Sequence, residues 1–140
     1  MRKDNVQFSI AVHVMTILAY MNGKEIISSR LAASVNTSPS FVRRILSKLS
    51  KAGLVKATAG KNGSCVINRS SSDVTLLDIY RALGAPSIFS IHNYPSQPLC
   101  PVSCRIKPLM QKIAGRAQKL LEKTLEDTKL SDLVKDVKKK

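Results

Sequence analysis

The sequence predicts a mainly α-helical fold, a winged helix-turn-helix followed by one long C-terminal helix. Three observations support this prediction. Two short helical patterns separated by a turn are followed directly by two β-prone runs, the order of a winged helix with a small β-hairpin wing. From Ile26 to Ser72 the chain contains no Asp or Glu, although it carries eight Lys and Arg residues there. Beyond Pro101 an apolar stripe at helical spacing continues to about Asp127.

The first helix is predicted from Asp4 to Met21. Its apolar residues recur at three- and four-residue spacings, at Phe8, Ala11, Val12, Met15, Leu18 and Ala19. Asp4 is expected to cap the start, with Gln7 completing a capping box, and Gly23 follows the end. We interpret His13 as a surface or boundary histidine, because no Cys or His lies at ligand spacing from it.

The helix-turn-helix is preceded by a short apolar pair, Ile26-Ile27, which we interpret as one strand of a small sheet. Ser28 or Ser29 is then expected to cap the first helix of the pair. That helix carries Leu31, Ala32 and Val35 as its apolar residues. The turn is predicted at Asn36-Thr37, where turn-forming residues interrupt the helical pattern.

The second helix of the pair has the clearest sequence signals. Ser38 is the predicted N-cap, and Pro39 takes the first helical position, where its missing N–H costs nothing. The helix is expected to reach about Ala52, with Gly53 ending it. Its inward side consists of Val42, Ile45, Leu46 and Leu49, which leaves Ser40, Arg43, Arg44, Ser47, Lys48 and Lys51 to the other faces.

The predicted wing joins the β-prone runs 54–58 and 65–67 through residues 59–64, which are rich in turn formers. A capping box of Thr75 with Asp78 then predicts a further short helix. This helix ends the part of the chain that resembles a winged head.

The long C-terminal helix is predicted to begin at Pro101, after an irregular stretch at residues 87–100. Its stripe consists of Ile106, Leu109, Met110, Ile113, Ala117, Leu120, Leu121 and Leu125. A helix of roughly 25 residues spans about 37 Å, more than a small head can cover. We therefore expect a second subunit to pack against it. The tail ending in Lys138-Lys139-Lys140 is expected to be frayed.

These patterns divide the chain into three parts. We predict a winged helix-turn-helix DNA-binding domain at residues 1–84, an irregular linker or sensor loop at 85–100, and a dimerisation helix with a basic tail at 101–140. At 140 residues the chain has room for one domain with an appended dimerisation element.

The strongly basic composition indicates what kind of molecule the protein binds. A formal net charge of +14 favours nucleic acid or an anionic membrane surface. No apolar run of about 18 residues predicts a membrane span, no signal peptide is expected, and three cysteines do not suggest a secreted disulfide scaffold. We therefore predict a cytoplasmic protein that binds double-stranded DNA and no membrane.

The acid-free region supplies the candidate DNA contacts. If the second helix of the pair enters the major groove, its N-terminal residues face base edges. Arg43 and Arg44 have the reach for a bidentate contact with guanine, whereas Phe41 is expected to belong to the core. The predicted DNA-binding residues are Ser28, Thr37, Ser38, Ser40, Arg43, Arg44, Lys48, Lys56 and Lys61.

Four motifs follow one another along the chain, namely Ser38-Pro39-Ser40-Phe41-Val42, Leu49-Ser50-Lys51-Ala52-Gly53-Leu54-Val55, Gly60-Lys61-Asn62-Gly63 and Thr75-Leu76-Leu77-Asp78-Ile79-Tyr80-Arg81-Ala82. This series resembles the Rrf-two family of small bacterial winged-helix repressors. That family includes the iron–sulfur cluster assembly regulator, nitric-oxide sensors and the cysteine-metabolism repressor. The resemblance covers nearly the whole chain and implies a homodimeric repressor joined through its long helix.

Two departures from the family pattern change what the resemblance implies. Family wings commonly carry an Arg before the first Gly and a Gly-Gly-aromatic run after it, where this chain has Ala59 and Gly63-Ser64-Cys65. Minor-groove reading by a wing Arg is therefore not implied. Cluster-binding members use three cysteines just ahead of the long helix, where this chain has only Cys100 and Cys104. Because protein-bound clusters need about four ligands, we expect no cofactor.

Cys100 and Cys104 are the candidate redox-sensing residues. With Pro101 as the first helical residue, Cys100 lies at the N-cap, where backbone amides and the helix dipole stabilise a thiolate. Such a thiolate can oxidise to a sulfenic acid or form a disulfide, and so shift the long helix. The other interpretation is that both are ordinary small, partly buried cysteines.

Three alternatives remain beside a thiol-responsive regulator. An iron–sulfur or metal-sensing regulator of the same fold would use the two cysteines, with His92 as a third ligand. A non-specific nucleic-acid-binding protein would spread basic residues over all faces and lack the ordered helix-turn-helix. An enzyme would need a carboxylate pair, a nucleophile–base motif or a phosphate-cradling loop, none of which the sequence offers. We therefore predict a sequence-specific DNA-binding regulator and not an enzyme.

Overall fold

The computed structural model describes residues 4–57 and 63–139 of the chain. Its helices and strands, in chain order, are α1 (Asp4–Tyr20), β1 (Ile26–Ile27), α2 (Ser28–Val35), α3 (Pro39–Lys51), β2 (Val55–Ala57), β3 (Ser64–Ile67), α4 (Leu76–Ala82), α5 (Pro101–Glu126) and α6 (Leu130–Lys138). A 3₁₀ turn precedes α4. The strands form one antiparallel sheet in the order β1-β3-β2. The predicted fold class is confirmed, including the strand at Ile26-Ile27 and the two strands of the wing.

Helix α1 lies at the centre of the core. Ala11, Val14, Met15 and Leu18 are fully buried, and further apolar side chains of the same helix are partly buried. Helices α2, α3, α4 and α6 all pack against α1, so its buried surface is wider than the single face that was predicted. The predicted cap at Asp4 falls on a side chain outside the described part of the structure.

The turn between α2 and α3 is tight and well bonded. Asn36 adopts the left-handed conformation at φ 69°, and its N–H donates to the Ala32 carbonyl at 2.7 Å. Asn tolerates this conformation better than most residues because its short polar side chain bonds locally. Ser38 caps α3 as predicted, since its Oγ accepts a hydrogen bond from the Phe41 N–H at 3.3 Å.

The start of α2 differs from the prediction. Neither Ser28 nor Ser29 caps this helix, because Ile27 occupies the N-cap position without a side-chain hydrogen bond. Ser28 is instead the first helical residue and is buried. Strand β1, which pairs with β3, leads directly into the helix at Ser28.

The C-terminal segment is folded, and the prediction of a frayed tail is wrong for residues 130–138. Leu130 is fully buried and Val134 is buried beside α1. The Leu130 N–H donates to the Val74 carbonyl at 2.8 Å, which ties the segment to the residues ahead of α4. Helix α6 therefore packs with the predicted DNA-binding domain, although the sequence had grouped it with the dimerisation helix.

Helix α5 is anchored to the head at its C-terminal half. Leu125 is buried against Leu77 and Tyr80 of α4. The Tyr80 hydroxyl donates to the Pro86 carbonyl and accepts from Gln118 Nε2 at 2.9 Å. Ahead of this anchor the helix leaves much of its apolar stripe exposed. In the part of the chain that the structure describes, no helix is long and apolar enough to cross a membrane.

Candidate nucleic-acid interface

Helix α3 is divided into a buried and a basic face. The predicted inward residues Val42, Ile45, Leu46 and Leu49 are all buried. At 100° per residue the opposite face consists of Ser40, Arg43, Arg44, Ser47 and Lys51, all of which are exposed. Burial of the first face therefore orients both arginines away from the protein.

The N-terminus of α3 offers backbone donors beside this face. Its first turn contains no acidic residue, and the first amides of a helix have no intrahelical partner. Ser38 and Ser40 are exposed with their hydroxyl oxygens 3.3 Å apart, while Thr37 is half-buried. A helix N-terminus of this kind binds phosphate oxygens.

Two contacts hold the flanks of the basic face. The Arg44 guanidinium lies 5.3 Å from the ring centre of Phe41, which is partly buried against the core. Lys48 Nζ donates to Gln7 Oε1 of α1 at 3.1 Å. The capping box predicted for Asp4 and Gln7 stays a prediction. Sequence reasoning missed this second contact because the two residues lie 41 positions apart.

The charges of α3 are not neutralised by acidic neighbours. The ion pairs found among residues 4–57 and 63–139 are Arg81–Glu122, Lys123–Asp127 and Lys139–Asp136. None of them involves α3, which agrees with the acid-free sequence around it. The guanidinium groups of Arg43 and Arg44 are therefore available to an anionic partner.

The wing approaches α3 near Arg43. A Cβ placed on Gly63 would lie 3.4 Å from Ser28 Oγ and 4.0 Å from Arg43 Cδ, and Gly63 adopts φ +62°. Lys56 is exposed on β2, at the edge of the sheet. Lys61 lies outside the described residues, and its DNA contact stays a prediction.

Ser28 does not belong to this surface. Only 2% of the residue is exposed, so its hydroxyl cannot reach a phosphate in this conformation. This conformation therefore does not support the predicted DNA contact of Ser28, which stays a prediction. The remaining described candidates lie together around α3, with Lys56 beside them on the wing.

The three cysteines occupy different environments. Cys65 lies in the central strand β3 and is 3% exposed, and burial raises the pKa of its thiol to about 11. Cys100 is the N-cap of α5, as predicted, and its Sγ accepts from the Ser103 N–H at 3.4 Å. Cys104 is exposed, with its thiol 3.5 Å from the Gln97 carbonyl to which it donates.

The residues around α5 do not fit an iron–sulfur cluster held by one chain. Cys100 and Cys104 supply two thiols one helical turn apart, whereas Cys65 is buried in the sheet. His92 lies exposed beside Tyr94, with 6.3 Å between the ring centres. Within the described ranges, no group of three or more His, Cys, Asp or Glu residues is placed to hold a metal ion. The expectation that no cofactor binds stays a prediction.

Together, the winged helix-turn-helix and the exposed basic face of α3 define a DNA-binding transcriptional regulator. The model of the Rrf2 (Rrf-two) family, described as an iron-dependent transcriptional regulator, matches residues 5–136. The chain belongs to this family.

Relatives and solved structures agree with this assignment. The proposed HTH-type transcriptional regulator YwnA of Bacillus subtilis (strain 168) is 30% identical over 93% of this chain and 96% of its own length. A crystal structure of a proposed transcriptional regulator from Lactobacillus plantarum is 27% identical, covers 94% of this chain and 89% of its own, and has a TM-score of 0.80. CymR, the global cysteine regulator of B. subtilis, shares the fold at 24% identity and a TM-score of 0.70, covering 96% and 98% of the two chains.

Proposed function

We propose that the protein is a homodimeric repressor that binds a two-fold symmetric operator, with helix α3 of each subunit in the major groove. The observation that carries this proposal is the exposed, unpaired basic face of α3 on a chain whose long helix exposes an apolar stripe. A repressor of this kind covers its operator and thereby excludes the transcription machinery.

The surface of α5 supports the dimer. Its exposed apolar residues are Val102, Leu109, Ile113 and Leu120, and the half-buried residues Ile106 and Ala117 fall between them. These six positions follow one another at spacings of three or four residues, as in a coiled-coil seam. A second copy of α5 is the partner with a matching stripe, and a two-fold axis would place each contact twice.

The proposed roles of the α3 residues follow from their positions. Arg43 and Arg44 lie in the second turn and form no ion pair with any residue that the structure describes, which suits bidentate contacts to guanine in the major groove. Ser38, Ser40 and Thr37 surround the helix N-terminus and suit phosphate contacts. Lys48 and Lys56 flank the helix and suit contacts to the backbone of the duplex.

An in vitro selection tests the proposal directly. The purified protein is used to enrich duplexes from a random library, and the enriched sequences are then tested by footprinting. We expect one two-fold symmetric motif, with half-sites about one helical turn, or a multiple of it, apart. Absence of any enriched motif, or protection of a single unrepeated half-site by a monomer, would contradict the proposal.

A thiol response is a second part of the proposed function. Cys100 caps α5 at an accessible bend of the chain, so its oxidation would change the start of the helix that joins the subunits. Operator affinity should therefore change reversibly between reduced and oxidised protein and should not change in Cys100→Ser. An equal oxidant effect in the Ser variant would refute this response. A coloured preparation containing iron would instead support the alternative of a cluster-sensing regulator.

A further inference from the structure

An open cleft of about 600 Å³ lies between α1, α2 and α6, on residues with no role in the proposed DNA contacts. Ile17, Leu133 and Val137 form its apolar walls. A volume of this size falls within the range of about 300–1,000 Å³ that is usual for small-molecule sites. The cleft exists because α6 packs against α1, and the sequence patterns that predicted a frayed tail gave no sign of it.

Polar side chains from all three helices also line the cleft. His13 Nε2 and Ser34 Oγ lie 3.1 Å apart and join α1 to α2. Asp136 contributes a carboxylate from α6. Of the described residues that line the cleft, none is Lys or Arg, although the whole chain carries a net charge of +14.

Two lysine ammonium groups of the chain lie against two of the residues that line the cleft, Tyr20 and Asp136. Lys138 Nζ lies 5.7 Å from the ring centre of Tyr20, and Lys139 Nζ lies 3.4 Å from the Asp136 carboxylate. The side chains of Lys139 and Asp136 are 77% and 70% exposed, so their ion pair is weak. Another ammonium group can therefore easily replace Lys139 beside the carboxylate. A ring face and a carboxylate that both attract an ammonium group define the chemistry of the ligand.

We propose that this cleft binds a small organic cation, an amine with an apolar aromatic or branched aliphatic body. The apolar body lies against Ile17 and Leu133. The ammonium group replaces the lysines between the Tyr20 ring and the Asp136 carboxylate. Because Ser34 belongs to α2, the bound molecule also contacts the first helix of the helix-turn-helix.

The test uses three probes that share one apolar body, namely phenethylamine, 2-phenylethanol and phenylacetate. Each is titrated into the full chain without DNA, and amide shifts are followed by NMR, so the result does not depend on the proposed operator binding. We expect phenethylamine to bind with a Kd of about a millimolar, a weak affinity usual for so small a ligand, and to shift the amides of residues 13–20, 34 and 133–137. Phenylacetate should bind at least about fivefold more weakly, the scale of one exposed ion pair.

Two variants make the test specific. Asp136→Asn should weaken phenethylamine binding by about fivefold and leave 2-phenylethanol unchanged. The matched control is Asp127→Asn, since Asp127 is a similarly exposed carboxylate paired with Lys123 at 3.3 Å on a different helix. Phenylacetate binding as tightly as the amine, shifts outside the cleft, an unaffected Asp136→Asn variant, or no saturable binding by any probe would each overturn the proposal.

Discussion

Leu120→Ala tests the proposed dimer interface at one of its most exposed apolar residues. Leu120 is 71% exposed in the single chain. Complete burial of a Leu side chain is more favourable than burial of Ala by a free energy of about 2 kcal/mol. Covering the exposed part with a second α5 therefore contributes about 1.5 kcal/mol per subunit. A two-fold axis places Leu120 in the interface twice. The substitution should therefore reduce the free energy of dimerisation by about 3 kcal/mol and raise the dimer Kd about a hundredfold.

Sedimentation equilibrium over a range of concentrations measures this change. Circular dichroism should show the same helix content in the variant, because Leu120 contributes little to the core of a single chain. The control is Val137→Ala, since Val137 is 60% exposed on α6 and lies outside the proposed interface. A Leu120→Ala dimer as tight as the native one, or an equal loss in the control, would refute the interface.

The remaining predictions concern the caps, the α4–α5 contact and the cysteines. Ser38→Ala should lower the free energy of unfolding by about 1 kcal/mol in urea, because it removes the cap of α3. Tyr80→Phe should lower it by about 1–2 kcal/mol, because it removes two hydrogen bonds, whereas Tyr94→Phe at an exposed site should change nothing. Burial raises the pKa of the Cys65 thiol from 9.0 to about 11, so its contribution to stability should hold below pH 9 and be lost as the pH rises from 9 towards 11. The loss of stability over this pH range should be smaller in Cys65→Ala. Alkylation of the folded chain near neutral pH, followed by peptide mapping, should label Cys100 before Cys65.

A specific experimental result would contradict each of these predictions. An unchanged urea midpoint for Ser38→Ala would mean that the cap contributes nothing to stability. A Tyr80→Phe loss no larger than that of Tyr94→Phe would remove the coupling between α4 and α5. Faster labelling of Cys65, or an equal alkaline loss of stability in Cys65→Ala, would show that this thiol is not protected by burial.

The elements that the sequence predicted correctly are those with local signals. Ser38-Pro39 fixes the start of α3 because the cap and the proline act within one turn. The Thr75–Asp78 capping box fixes α4 in the same way, with both of its hydrogen bonds present. The buried and basic faces of α3 follow from residue spacing alone.

The features that the sequence did not predict depend on contacts between distant residues. Helix α6 has apolar residues at 130, 133, 134 and 137, a helical spacing, but the lysines beyond them favoured a frayed tail. Its packing on α1 depends on the burial of Leu130 and Val134 against residues far away in the sequence, and the cleft depends on that packing. Ser28 has the residue type of a cap or phosphate contact. It is buried in the fold, with Gly63 of the wing near its hydroxyl, and this contact between distant residues leaves no local signal in the sequence.

The claim that α3 reads DNA sequence is tested most directly by the affinities of Arg43→Ala and Arg44→Ala for the operator and for random duplex. Fluorescence anisotropy with the selected operator and a random duplex, at several salt concentrations, provides the measurement. Each variant should lose about 1–3 kcal/mol of binding free energy for the operator and clearly less for the random duplex. The control Lys56→Ala should weaken both about equally and reduce the salt slope by about one. If both arginine variants lose equal binding free energy for the operator and the random duplex, the claim is contradicted, because the two arginines would then contact only the DNA backbone.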